Sequence, residues 1–273
     1  MVAQGNVRKM QTKWAGPIEY TLPLYNNLEK GEELYMNDLI GKEIQIKYTG
    51  TINCVVTGKK INKSFGEGMS YDAWQNSPMA VESIINPELD KAHLGEGIRD
   101  LEWERERHVR PHYVYLALTD HVKVGVTRDL SIPSRWIDQG AWKAMKFAKT
   151  PYRQKSGIIE KELKAHISDK TNWRKMLTDI KGENSLEMEY QRLKDLLPKH
   201  LVQYVLPLSE SEILEIKYPV LKYPKKVKSL KLEKEPLIEK TLIGIRGQYL
   251  LFEDETVMNL RSHSGYQISI ETV

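Results

Sequence analysis

The chain of 273 residues contains a single cysteine, Cys54. An internal disulfide is therefore impossible, and cysteine alone cannot build a zinc site. No stretch approaches the roughly 18 consecutive apolar residues that cross a bilayer. The opening MVAQGNVRKMQTKW has no apolar core of the kind a secretory signal needs, so a cytoplasmic location and no membrane partner are expected. No internal repeat is visible. Charge of one sign is not in large excess either. Lys and Arg number 41 against 37 Asp and Glu, a net charge of +4, which is compatible with a polyanionic partner without requiring one.

What is present is ordinary for a soluble globular chain: 40% hydrophobic and 29% charged residues. The length can bury a real core, as one large domain or two small ones. Residues 17 to 65 read as strands. Ile44, Ile46 and Tyr48 alternate with polar residues, Gly50 interrupts them, and Ile52, Cys54 and Val56 resume, as in a hairpin or a bulged strand. Residues 66 to 110 are rich in loop residues, and so long an irregular stretch needs something to hold it. The segment HYVYLALTDHVKVGVTR, residues 112 to 128, reads as two strands, Tyr113 to Leu118 and His121 to Thr127, with a turn on Thr119-Asp120.

Beyond the hairpin, Pro133 opens a short helix that Gly140 can end. WKAMKFAK is a candidate third strand. Ile159, Leu163 and Ile167 form the buried stripe of a helix starting at Ser156. Asp169 or Thr171 can cap a short helix, and Leu186, Tyr190, Leu193 and Leu197 mark another that stops at Pro198. Strands return after residue 200, including the basic KYPKKVKSLKLEKEP and a turn at Glu253-Asp254. The expected fold class is α+β, with a β-β-α-β-α core over residues 111–200. The flanking β-rich segments, 1–110 and 201–273, pair into one small barrel or sandwich, or form two independent β modules.

The hairpin raises a specific question, because it gathers two tyrosines, a lysine and a glycine. Tyr113-Val114-Tyr115 followed by Lys123-Val124-Gly125 resembles the paired motifs of the GIY-YIG endonucleases. Tyr115 falls on the tyrosine of the first triplet and Gly125 on the glycine of the second. Arg135 matches the position of that superfamily's catalytic arginine, and Glu160 that of its metal-binding glutamate. A longer likeness runs through PHYVYLALTDHVKVGVTR, SRWIDQGA, SGIIEKELKAHISDKTNWRKML and GIRGQYLLF. It is similar to an uncharacterised bacterial family, a domain of unknown function containing this GIY-YIG-like core. Members of that family carry cysteines upstream of the hairpin that look like a zinc site. Here Cys54 remains, Thr57 stands where a CxxC partner would be, and Ser83, Asp90 and Val109 occupy further cysteine positions. Zinc is therefore not expected.

The resemblance implies a metal-dependent phosphodiesterase acting on a nucleic acid, DNA or RNA. Tyr115 would take a proton from water if its pKa were lowered from about 10, and Lys123 across the hairpin would lower it. Arg135 would offer its planar fork to the phosphate. Glu160 would be the lone protein ligand of Mg2+ or Mn2+. Each residue also has an ordinary account. Tyr115 can be core with its hydroxyl satisfied, Lys123 an exposed hairpin residue, and Arg135 a stacking partner of Trp136. Glu160 and Lys164 can be a surface pair, and Glu162 is the other candidate ligand. His108, His112 and His121 fit no strong metal spacing.

Lys225, Lys226 and Lys228, near Tyr218 and Tyr223, can grip a phosphate backbone or protect an edge strand. Arg246 and Arg261, with Gln248 and His263, make a polar binding surface if they share a face. A non-catalytic nucleic-acid-binding module and a structural or regulatory protein remain the two rival readings.

Overall fold

The alternation of Ile44 and Ile46 with polar neighbours produces one long strand, Glu43–Asn53, in the computed structural model of the chain. The structure describes residues 2–180 and 185–273. Gly50 bends this strand at φ 79° without ending it, a conformation open to glycine at little cost. The pairing register with Tyr266–Thr272 slips here, so that Ile268 faces Tyr48 while Tyr266 faces Ile52. The strand is therefore bulged at Gly50 and does not turn back there; its end pairs with Lys60–Ile61.

Glu43–Asn53 lies between Leu237–Arg246 and Tyr266–Thr272, antiparallel to both, and Tyr266–Thr272 pairs onward with Val2–Val7. The N- and C-terminal segments thus share one curled sheet of 11 strands among the described residues. Its apolar face carries Ile44, Ile46, Ile238, Leu242, Ile268 and Ile270, all buried. Lys228–Ser229 stands at one end of the strand order.

Two units emerge. The first comprises Met1–Gln75, Leu177–Asp179 and Lys217–Val273, and the second Asn76–Met176 and Ile180–Ile216. The boundary near residue 75 differs from the expected one at 110, because the loop-rich stretch after Asn76 belongs with the α/β unit. Two contacts explain this. Gly157, in the Arg153–Lys164 helix, lets the backbone of Pro87 and Glu88 approach so closely that a Cβ there would lie 2.3 Å from the Glu88 nitrogen. Arg153, on the same helix, donates to the carbonyls of Ser83 and Ile84 (2.9 Å for Ile84) and meets the Asp90 carboxylate at 3.4 Å.

Asp90 in turn contacts His108 and accepts the Ala92 N–H at 3.1 Å. Burial alone would raise the Asp90 carboxyl, but His108 and Arg153 hold it below its ordinary value. An ionic cluster therefore helps to fasten the 83–108 segment. Val109 is exposed. Cys54, in the other unit, accepts the Ser70 N–H at 3.2 Å within a tight turn. Glu104, almost fully buried, accepts the N–H groups of Ile98 and Arg99 at 3.0 and 3.1 Å, and Asp100 caps the Leu101–His108 helix through Trp103 N–H.

The α/β unit holds an antiparallel sheet in the order Leu214–Glu215, Lys143–Thr150, His112–Leu118, Val122–Arg128. One face packs on the helices Arg153–Lys164 and Leu186–Leu196 through Val114, Leu116, Val124, Phe147, Ile159, Leu163, Tyr190 and Leu193. The first of these helices begins three residues before the expected Ser156. The short helix Trp173–Met176 is capped by Asn172, whose Oδ1 accepts the N–H groups of Arg174 and Lys175, instead of by Asp169 or Thr171. Among the described residues no helix is long and apolar enough to cross a membrane.

Candidate functional site

Side chains along a strand alternate between faces. With Val114, Leu116 and Leu118 turned to the helices, Tyr113, Tyr115 and Ala117 turn to the opposite face. On the neighbouring strand, Val122 and Val124 face the helices, so Lys123, Gly125 and Thr127 join that opposite face. The register sets Tyr115 opposite Gly125 and Ala117 opposite Lys123. This answers the question of the glycine. The Tyr115 phenol lies over Gly125, where a Cβ would stand 2.4 Å from the hydroxyl and 2.6 Å from Cζ.

Tyr115 is closed in on its other sides. Its hydroxyl accepts a 2.5 Å hydrogen bond from Gln139 Nε2, and its ring centroid is 6.1 Å from that of Trp136 on the Ser134–Asp138 helix. At 1% exposure the phenol is packed much as a core tyrosine with a satisfied tip. The helix bearing Glu160 packs on the other face of the sheet. The sheet thus stands between the Tyr115 ring and that helix.

Lys123 lies at the outer strand and is only 8% exposed. Burial lowers its pKa from the ordinary 10.5 to about 8; the Arg135 guanidinium lowers it further, while Asp169, Asp120 and Glu160 pull the other way. Side chains from four separate segments therefore act on one ammonium. Arg135 itself is exposed. None of the described carboxylates comes within 4.0 Å of Lys123. Glu160 is buried at 7%, and burial pushes its carboxyl up, against the pull of Lys164. Lys164 Nζ sits 3.5 Å from Glu160 and 3.2 Å from Asp169, so an ammonium already bridges the two carboxylates. A divalent ion would have to displace it, and the donor set as built does not suit one. Glu162 is exposed.

The three histidines do not converge. His108 pairs with Asp90. His112 is buried, with Nδ1 2.8 Å from the Arg110 carbonyl, and burial takes its pKa down to about 4. His121 contacts Asp120 at 3.0 Å.

The family description "Protein of unknown function (DUF2797)" matches residues 41–268. The chain belongs to the DUF2797 family. No curated protein and no solved structure matches it. The expected relationship to the GIY-YIG endonucleases is thereby corrected. The DUF2797 description spans the hairpin, and nothing matched ties that hairpin to the endonucleases. Two triplets and four polar positions are too short a pattern to establish kinship alone.

In this DUF2797 chain the other expected binding residues scatter. Arg246 is wholly buried, its guanidinium 5.3 Å from the Tyr218 ring and 5.7 Å from the Tyr223 ring, with a 3.4 Å bond to the Thr178 carbonyl. It fixes the 177–179 segment and offers no surface charge. Gln248 is likewise buried, bonded to both backbone groups of Met10. His263 Nε2 accepts the Leu232 N–H. Arg261 is paired with Glu67. Lys225, Lys226 and Lys228 are exposed, and Lys228 belongs to the outermost strand of the large sheet, the place where lysines blunt an edge.

Sequence reasoning overlooked a basic and aromatic group, Tyr113, Lys146 and Lys149, at the part of the smaller sheet that is not covered. Lys146 faces Tyr115 and Lys149 faces Tyr113 across the strand pair, because Phe147 is the extra residue of a bulge. Face parity would have exposed the group only if that bulge had been known.

Proposed function

We propose that the α/β unit of this DUF2797 protein binds nucleic acid, with a backbone phosphate held by Lys123 and Arg135. The observation that carries the reading is the state of Lys123. Its ammonium has lost most of its hydration, has no hydrogen bond or ion pair among the described residues, and has a second cation as a neighbour. Such a group is costly until an anion arrives. A phosphate diester supplies that anion, and the planar guanidinium of Arg135 can take the same group with two bonds. The test is fluorescence anisotropy with labelled DNA and RNA oligonucleotides. Lys123→Met and Arg135→Ala are expected each to weaken binding by at least tenfold, about the contribution of one charge-assisted contact. Wild-type affinity in both variants would overturn the assignment.

Metal-dependent phosphodiester hydrolysis is the second reading, favoured by one observation: the buried Glu160 carboxyl acts on the same ammonium. Against it stand the enclosed Tyr115 and the Lys164 bridge. A cleavage screen over DNA and RNA forms with Mg2+ or Mn2+ separates the two readings. Turnover lost in Glu160→Gln, with binding kept, would establish hydrolysis.

A further inference from the structure

Tyr113 lies on the same face of the smaller sheet as Tyr115, one two-residue step closer to the start of the strand and beyond the part that Trp136 and Gln139 cover. Unlike Tyr115 it is only partly buried. Thr127 faces it on one side and Lys149 on the other. Lys146 Nζ stands 5.0 Å from the centre of the Tyr113 ring and Lys149 Nζ 5.8 Å. Lys149 is exposed and Lys146 partly so. One partly accessible aromatic ring is thus bracketed by two cations on a strand pair.

We propose that Tyr113, Lys146 and Lys149 form a stacking platform for an unpaired base, which makes single-stranded nucleic acid the ligand class of this face. The proposal rests on the nucleic-acid reading given above. An aromatic ring set on a sheet surface can stack only on a base whose flat side is free, and in a duplex those sides are covered by neighbouring bases. The two ammonium groups then leave the ring for the phosphates on either side of the stacked base.

Magnitudes favour that exchange. An exposed cation–π contact shifts an equilibrium by about two- to fivefold. A base stacked on an aromatic side chain shifts it by about 5- to 150-fold, and the lysines regain electrostatic contacts with phosphate. Position supports it as well. Tyr113 lies two pleat repeats from Ala117, whose cross-strand partner is Lys123. At ~6.6 Å for each repeat, the platform and the Lys123 row are about 13 Å apart, within reach of one short single strand.

The experiment measures anisotropy of a labelled oligothymidylate and of a duplex of equal length, on the full chain, with wild type, Tyr113→Leu, Tyr113→Phe and the double variant Lys146→Gln/Lys149→Gln. Circular dichroism and thermal melting establish that each variant is folded. Tyr113→Leu is expected to lower the ratio of single-strand to duplex affinity by about 5- to 150-fold, and Tyr113→Phe to recover most of that ratio because the ring is restored. The double lysine variant is expected to weaken single-strand binding and to reduce the salt slope by about 1.4, at ~0.7 for each phosphate contact. A folded Tyr113→Leu protein with the wild-type ratio would overturn the proposal. So would an equal preference of wild type for duplex and single strand. If wild type binds no nucleic acid at all, the broader reading fails and this one with it. If Lys123→Met has no effect while Tyr113→Leu does, only the phosphate assignment to Lys123 falls and the platform stands.

Discussion

Replacing Lys123 with methionine should make the protein more stable near neutral pH. The ammonium is buried and lacks a close counter-ion, and burial followed by Arg135 takes its pKa from 10.5 to about 8. Below about pH 8 both folded and unfolded chains carry the charge, and the folded state bears the full penalty. Between about pH 8 and 10.5 the unfolded chain holds a proton that the folded chain has released, so stability rises with pH across that window. At about 1.36 kcal/mol for each pH unit of separation, the penalty amounts to about 3 kcal/mol.

Methionine keeps the apolar bulk of the lysine stem without the charge. The variant is therefore expected to gain up to about 3 kcal/mol at neutral pH, a gain that shrinks toward zero near pH 10.5. Urea unfolding of both proteins across that range gives the difference curve, in which other titrating groups cancel. A variant less stable than wild type at neutral pH, or a flat difference curve, would show that the Lys123 charge is compensated within the fold. The reasoning for an anion site would then fail. Instability retained at a binding residue is common where function opposes stability.

Other perturbations probe the surroundings. Gly125→Ala places a methyl 2.4 Å from the Tyr115 hydroxyl and should cost about 1–3 kcal/mol by overpacking; Tyr115→Phe in the same chain should recover part of it, and an unchanged melting temperature for Gly125→Ala alone would mean that Tyr115 moves aside freely. Arg153→Met removes the bonds to the Ser83 and Ile84 carbonyls and the ion pair with Asp90, which keeps His108, and should cost about 1–3 kcal/mol, with hydrogen exchange accelerated selectively across residues 83–108; uniform exchange throughout the unit would contradict that picture. His112, whose pKa burial lowers to about 4, makes stability fall as pH drops from about 6.5 to 4, because the unfolded chain takes up the proton first. His112→Gln should flatten that acid limb in urea midpoints, and an unaltered limb would assign it elsewhere.

Much of the architecture was legible where periodicity is strong. Val114, Leu116 and Leu118 alternate, and Ile159 and Leu163 recur at helical spacing, so the hairpin and its covering helix follow from the sequence. The pairing of the two chain ends was also accessible, because both ends are strand-like. Residues 76 to 108 have no period. Their organisation depends on Arg153, far along the chain, and on a close approach that only Gly157 permits.

Arg246 read as a surface cation because an arginine in a glycine-rich strand region usually is one. Its burial depends on Tyr218, Tyr223 and a strap at residues 177–179, which no local pattern announces. The site suffered from the same limit. Tyr115 drew attention through a short resemblance, yet the accessible tyrosine is Tyr113, and the bulge at Phe147 that brings Lys146 and Lys149 to it is invisible in the sequence.

The most direct test of the anion site is NMR titration of the Lys123 ammonium, assigned by its loss in Lys123→Met, with and without a saturating single-stranded oligonucleotide. The account predicts a pKa near 8 in the free protein and a rise toward the ordinary 10.5 once a phosphate neutralises the charge. An oligonucleotide that saturates the protein and leaves the Lys123 pKa where it was would contradict it.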